Sequence, residues 1–137
     1  MRRRSRWGWE HAIKVMDRNA GFDKGRGGKK SPRIRITAEV DGVRDEYTIT
    51  YGRRGADNAT VGYAAARAGA PGGREADKER LSALVKALTG EEPRMRRRSD
   101  GTIEPVCGRK HLDGFKRFDE LADAIERWLK ETKRGAP

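Results

Sequence analysis

The chain has 137 residues, 39% of them charged and 34% hydrophobic, and its 32 lysines and arginines against 21 acidic residues leave a net charge of +11. This length suits one ordinary domain. No stretch approaches the roughly 18 consecutive apolar residues of a membrane-spanning helix, and a single cysteine, Cys107, excludes a disulfide scaffold. No signal peptide follows Arg2-Arg3-Arg4, so we expect a cytoplasmic protein that binds no membrane. Its strongly basic charge predicts that it binds a polyanion.

The N-terminal third predicts a helix between two mobile segments. Residues 1–8 form a basic N-terminal arm with little to anchor it. A one-faced helix closed by Gly21 is then indicated by apolar residues at i, i+3, i+4 and i+7, namely Trp9, Ala12, Ile13 and Met16. Residues 23–32 are rich in glycine and lysine and are predicted to be a flexible loop.

The next segment carries the strongest local signal, which is that of a β-hairpin. Apolar residues alternate with polar ones from Ile34 to Val40, and Asp41-Gly42 favours a type I′ turn. A two-residue turn places Val40 opposite Val43 and Ile34 opposite Ile49. One face of this hairpin is then apolar, with Asp45 as its single misfit, and the other face is polar and basic.

Residues 57–68 fit either a third strand or a short alanine-rich helix, and the β-branched Thr60 and Val61 favour the strand. Residues 75–89 predict a helix that Gly90 closes. Its apolar stripe consists of Leu81, Leu84, Val85 and Leu88.

A second hairpin is predicted where residues 93–98 and 102–107 flank Asp100-Gly101, with a bulge near Ser99 to correct its register. A short helix within 109–118 follows, burying Leu112 and Phe115. A final helix capped by Asp119 carries an apolar stripe, and residues 133–137 form a C-terminal tail.

These elements predict an α+β fold in a single domain over residues 9–132. An antiparallel sheet contains the two hairpins and the extra strand, and the helices pack on one face. The opposite face then displays the arginines.

That arginine-rich face is the candidate nucleic-acid-binding site. Arginine donates bidentate hydrogen bonds to phosphates or to guanine, and a two-stranded ribbon fits the major groove of DNA. The alternative is a solvated face whose charges are offset by Glu39, Glu46 and Glu104. The candidate residues lie on the two hairpins and the adjoining loop: Arg33, Arg35, Arg44, Thr48, Thr50, Arg53, Arg54, Arg94, Arg96 and Arg98.

The remaining chemistry-bearing residues indicate no cofactor and no metal site. Cys107 and His111 could supply only two of the four ligands that a structural zinc site needs. We therefore interpret them as a packed cysteine and a surface histidine. Asp17, near the end of the predicted first helix, and Asp23, just beyond it, are the only acids placed suggestively for a magnesium-dependent nuclease, and Asp17 is the candidate catalytic acid. The aromatic residues, Tyr63 included, fall mostly on core stripes and leave only Trp7 and Phe22 outside them, which favours duplex binding over base stacking.

Two runs of sequence support a family resemblance. ADKERLSALVKALTGEEP (76–93) and CGRKHLDGFKRFDELADAIERWLKET (107–132) resemble the second class of archaeal paralogous repeat (PaRep) proteins. The order of the predicted elements resembles one half of a LAGLIDADG homing endonuclease. That likeness implies a sheet facing nucleic acid, but WEHAIKVMDRNAGFD lacks the Asp-Gly step of the endonuclease motif, so cleavage is not implied.

We therefore expect a domain that binds duplex DNA, related to homing endonucleases but catalytically inactive, and the sequence leaves a homodimer open. One alternative is an active magnesium-dependent endonuclease that uses Asp17. Another is a protein-interaction module, or a remnant of a genomic repeat family without retained activity.

Overall fold

The computed structural model describes residues 4–5, 8–9, 11–24, 30–54 and 59–135, with side chains in 11–21, 32–53 and 59–130. As predicted, the fold is α+β, with a six-stranded antiparallel sheet and three helices. Before the sheet, β1 (Arg4–Ser5) pairs with β2 (Gly8–Trp9). The rest of the predicted N-terminal arm, residues 1–3 and 6–7, lies outside the described residues.

The strands of the sheet are β3 (Ile13–Lys24), β4 (Lys30–Val40), β5 (Val43–Arg54), β6 (Ala59–Tyr63), β7 (Arg94–Arg97) and β8 (Ile103–Cys107). Their order across the sheet is β3-β4-β5-β6-β8-β7. The helices are α1 (Gly73–Thr89), α2 (Arg109–Phe115) and α3 (Asp119–Gly135). Helix α3 therefore runs into the predicted tail, of which residues 136–137 are not described.

The predicted first helix is wrong, because residues 13–24 form β3, which pairs along its length with β4. A β-bulge between Val15 and Asp17 inserts Met16 and shifts the alternation by one residue. Ile13 and Val15 before the bulge and Ala20 after it all pack against the core. The bulge thus breaks the two-residue period and gives apolar spacings that imitate a helix.

The flexible loop predicted at 23–32 is also wrong at both of its ends. β3 continues to Lys24 and β4 begins at Lys30, so the two strands pair beyond Gly21. Backbone hydrogen bonds hold such a ladder together without apolar side chains, which is why composition alone predicted a loop. Residues 25–29 lie outside the described residues.

The central hairpin, β4 with β5, has the predicted register at every position, from Val40 opposite Val43 to Arg33 opposite Thr50. Asp41 and Gly42 both have positive φ, 51° and 85°, as a type I′ turn requires. The predicted two-residue turn is confirmed.

The other ambiguous elements are also resolved. Residues 59–63 form a strand, so the alternative helix is wrong. In the second hairpin, Arg97 rather than Arg98 lies opposite Ile103. The Gly101 N–H donates to the Arg98 carbonyl at 3.1 Å, and Gly101 has φ of 90°. A three-residue loop with a left-handed glycine thus makes the register correction that was expected near Ser99.

Alternate residues of β4 and β5 are buried, and we call the face that carries Ile34, Ile36 and Ile49 the core face. Their side chains form one cluster with buried side chains from all three helices. From the helices it includes Leu81, Leu84, Val85, Leu88, Leu112, Phe115, Leu121, Ile125 and Trp128. That the helices lie only on this face stays a prediction.

Candidate nucleic-acid interface

The opposite face of the sheet, which carries Arg33 and Arg35, is called here the arginine face. Residues paired directly across neighbouring strands project from the same face, so the register defines its rows. One row crosses all six strands through Gly21, Arg33, Thr50, Tyr63, Val106 and Arg94. Arg33 and Arg94 are four strand spacings of about 4.8 Å apart, or about 19 Å. The two hairpins thus present their arginines on one surface.

A second row lies two residues further along the strands. On the arginine face, Arg35 lies opposite Thr48 in the β4–β5 hairpin, and Arg96 lies opposite Glu104 in the β7–β8 hairpin. Arg44 pairs with Glu39 near the turn of the central hairpin. Of the arginines, Arg44, Arg94, Arg96 and Arg98 are exposed, while Arg33 and Arg35 are half-buried.

Only one of the three glutamates expected to neutralise this face forms an ion pair with it among the described residues. Glu104 lies 4.0 Å from Nη1 of Arg96 and 3.5 Å from Nη2 of Arg98. Within the described part of the chain, Arg35, Arg44 and Arg94 have no carboxylate within 4.0 Å. Both hairpins therefore carry arginines of the arginine face that have no ion-pair partner among the described residues.

Arg53, predicted to belong to this site, lies on the other side of the sheet. Its guanidinium stacks 4.8 Å from the centroid of the Trp128 ring and donates to Oγ1 of Thr60 at 2.6 Å. Burial, reinforced by the neighbouring charge of Arg109, lowers the pKa of Arg53. Arg53 lies two residues after core-facing Tyr51, and residues two apart on a strand project from the same face. The side chain of Arg54 lies outside the described residues.

Arg97 points away from the other arginines of its strand, since it lies opposite core-facing Ile103. Its guanidinium contacts the carboxylate of Glu75 on α1 at 2.5 and 3.2 Å. This hydrogen-bonded pair raises the pKa of Arg97 and lowers that of Glu75. Arg97 is consequently a natural comparison for Arg94 and Arg96, on the same strand but the opposite face.

Tyr63 was assigned to a core stripe, and that assignment is wrong. It pairs with Thr50 and Val106 in the row that joins Arg33 to Arg94, so it lies on the arginine face. The side chain is half-buried. Sequence alone missed it because its face depends on its register with Thr50 of β5, and no two-residue turn joins the two strands to fix that register.

Two grooves meet at Tyr63. The first, of about 330 Å³, lies toward β7 and is lined by Val61, Tyr63, Arg94, Met95, Arg96 and Val106. The second, of about 580 Å³, opens where β5 diverges from residues 64–67. Its walls include Thr48, Thr50, Tyr63 and Glu104, and Tyr47 and Leu81 lie deeper. Tyr63 therefore lines both concave spaces, and each of them also has charged side chains in its lining.

Cys107 is buried as predicted, but His111 is not a surface residue, since it is only 2% exposed. Its Nδ1 accepts the Gly108 N–H at 2.9 Å, so Nε2 carries the proton and donates to the Glu92 carbonyl at 2.9 Å. The histidine thus ties the start of α2 to the segment before β7. Among the residues described, no group of three or more histidine, cysteine or acidic side chains could hold a metal ion.

Asp17, the candidate catalytic acid, is an exposed residue of β3 rather than of a helix. It lies opposite Thr37, and its carboxylate accepts a hydrogen bond from Nδ2 of Asn19 at 3.1 Å. Asn19 in turn lies opposite Arg35. Asp17 therefore contributes a negative charge to the margin of the arginine face.

Comparison with known proteins finds no family model, no curated protein and no solved structure that matches the chain. None of the helices in the described residues has the length and apolar character needed to span a membrane.

Proposed function

We propose that the protein binds nucleic acid through the arginine face, with its arginines contacting backbone phosphates. The observation that carries the proposal is the single row that joins Arg33 on β4 to Arg94 on β7, which brings two hairpins distant in sequence to one surface. The net charge of +11 supports a polyanionic partner.

The chemistry of the exposed side chains suits phosphate contacts. Guanidinium groups donate paired hydrogen bonds to phosphate oxygens, and threonine hydroxyls and backbone N–H groups add further contacts. If about five of these side chains neutralise phosphates, the logarithm of the binding constant falls against that of the salt concentration with a slope near −4 to −5 for duplex.

Two double variants of equal net charge test this proposal. Arg35→Gln with Arg94→Gln removes two arginines from the face, one from each hairpin. Arg97→Gln with Arg127→Gln removes two charges elsewhere, since Arg97 contacts α1 and Arg127 is exposed on α3. Binding of labelled oligonucleotides is measured by fluorescence anisotropy between about 50 and 200 mM salt.

We call the slope of the logarithm of the binding constant against that of the salt concentration the salt slope. In the variant that lacks Arg35 and Arg94 the salt slope should be shallower by roughly 1.4–1.8, which corresponds to two phosphate contacts. The control variant is expected to keep the wild-type slope. Equal slopes in the two variants, or no binding of any oligonucleotide by the wild type at low salt, would remove the proposal.

A further inference from the structure

The proposed function leaves open which form of nucleic acid the arginine face takes. We infer that it binds a single strand, with a base stacked against the ring of Tyr63. This inference rests on the proposed function, because it adds a base contact to the phosphate contacts of the same face.

The first support is the position of Tyr63 at the middle of the arginine face. In its row the aromatic ring has Thr50 and then Arg33 on one side, and Val106 and then Arg94 on the other. Single strands bind surfaces where cations follow the backbone and aromatic side chains stack the bases. A four-stranded sheet with stacking aromatics between basic residues is one established form of such a surface.

The second support is the space beside the ring. The groove toward β7 has a volume of about 330 Å³, within the range of roughly 300–1,000 Å³ found for clefts that take small ligands. Val61 and Val106 give it an apolar lining, and Arg94 and Arg96 stand at its border. A base placed here meets apolar and aromatic surface while its phosphate reaches a guanidinium.

The shape of this face argues against an intact duplex as the preferred ligand. In a duplex the bases are paired and stacked on each other, so an aromatic ring in a groove of the protein has no base face to contact. An unpaired strand exposes both faces of every base. The Tyr63 ring and the groove toward β7 therefore add binding energy only to a single strand.

The decisive experiment uses the wild-type protein and a strand of about ten nucleotides, a site size within the range of single domains. One version of the strand carries bases throughout, and the other carries abasic sites, which keep the phosphates and remove the bases. The abasic strand is expected to bind at least about fivefold more weakly. Its salt slope should be unchanged, because no phosphate contact is lost.

Substitutions at Tyr63 assign the effect to this residue. Tyr63→Ala is expected to weaken binding of the intact strand by at least about fivefold and to abolish the difference between intact and abasic strands. Tyr63→Phe keeps the stacking surface and should bind like the wild type. Thermal unfolding of each variant shows whether it is folded, and duplex of the same length should bind Tyr63→Ala and wild type alike.

The outcomes separate the two proposals. If intact and abasic strands bind equally while Arg35→Gln with Arg94→Gln reduces the salt slope, the stacking inference is overturned and phosphate binding stands. If no nucleic acid binds at low salt, both proposals fail. A wild-type preference for duplex over single strand also overturns the inference.

Discussion

Arg67 holds the carboxylate of Asp45 in a two-pronged ion pair, with its Nη1 3.0 Å from Oδ1 and its Nη2 2.5 Å from Oδ2. Asp45 is the single acidic residue that the hairpin places on the core face, opposite Ala38. Arg67 also bonds the buried Asp77 of α1 through its backbone N–H at 2.8 Å. One arginine thus supplies hydrogen bonds to two carboxylates, one on β5 and one on α1, at the end of the core near the hairpin turn.

This pair predicts an acid-sensitive component of stability. Burial alone would raise the pKa of Asp45, but hydrogen bonds from Arg67 and from the Glu46 N–H hold it below its usual value of 3.8. Because the folded pKa lies below the unfolded one, the stabilisation is present above about pH 4 and is lost as the pH falls through the folded pKa. Asp45→Asn should lower the free energy of unfolding at neutral pH by about 1 kcal/mol or less, since the pair is partly exposed.

The measurement is urea unfolding of wild type and Asp45→Asn at neutral pH and at about pH 3. The difference between the two proteins should shrink in acid. Asp123→Asn, at an exposed position on α3 with no ion pair among the described residues, is the control. A stability difference that stays constant with pH would contradict the role of the Asp45 charge.

The central hairpin shows how much local sequence can specify. Strict alternation from Ile34 to Val40 and a two-residue turn at Asp41-Gly42 were enough to predict every pairing of β4 with β5 from Arg33 to Thr50, because a two-residue turn leaves one register. The helix at 75–89 and the final helix predicted from Asp119 followed equally directly from their apolar stripes. Local periodicity therefore yielded the elements that have an uninterrupted pattern.

The errors arise where the residue pattern within a strand does not reveal its two faces. β3 is interrupted by the bulge at Met16, and Arg18 takes a position on its core side, where the guanidinium lies 4.3 Å from the centroid of the Phe118 ring. A charged residue at such a position hides the alternation. The face of Tyr63 is set by its register with Thr50 of β5, and no two-residue turn joins these strands to fix that register from the local sequence.

Gly62 is predicted to tolerate no side chain. A Cβ atom at this position would lie 2.7 Å from atoms of the Tyr51 ring, which is itself buried against Trp128 at a centroid distance of 6.5 Å. Gly62→Ala should therefore reduce the free energy of unfolding by about 1–3 kcal/mol, as overpacking of a core does.

Gly52 is the matched control for this substitution, since it pairs within the same two strands and a Cβ atom added to it would meet no other atom within 4 Å. Gly52→Ala should leave stability unchanged or raise it slightly, because alanine restricts the unfolded chain. The two midpoints of thermal unfolding decide the matter, and equal midpoints would argue against the close approach of Tyr51.

His111→Ala is predicted to destabilise the protein through two lost hydrogen bonds. The substitution leaves the Gly108 N–H and the Glu92 carbonyl, both in part-buried hydrogen bonds, without their side-chain partner. Leaving such groups unsatisfied costs about 1–3 kcal/mol each when water cannot replace the partner. Lys110→Ala alters a neighbouring exposed residue whose ion pair with Glu91 is a surface contact, so it should change the free energy of unfolding in chemical denaturation by less than about 0.5 kcal/mol.

The thiol of Cys107 is predicted to be unreactive in the folded protein. The side chain is 1% exposed, and burial raises its pKa to about 12. The thiolate that attacks alkylating reagents is therefore both scarce and inaccessible at neutral pH. Iodoacetamide should modify the native protein only at the rate of unfolding, whereas the protein in denaturant should be labelled rapidly at its one cysteine.

Asp17→Asn distinguishes a binding face from a nuclease. The carboxylate stands at the margin of the arginine face, opposite Thr37 and hydrogen-bonded to Asn19, where it repels phosphate. Its neutralisation should therefore leave nucleic-acid binding equal or tighter, and the substituted amide keeps the size of the side chain. Incubation of supercoiled plasmid with Mg²⁺ is the parallel measurement, in which wild type and variant should leave the plasmid equally intact. Cutting by the wild type that disappears in Asp17→Asn would instead establish the aspartate as a catalytic acid.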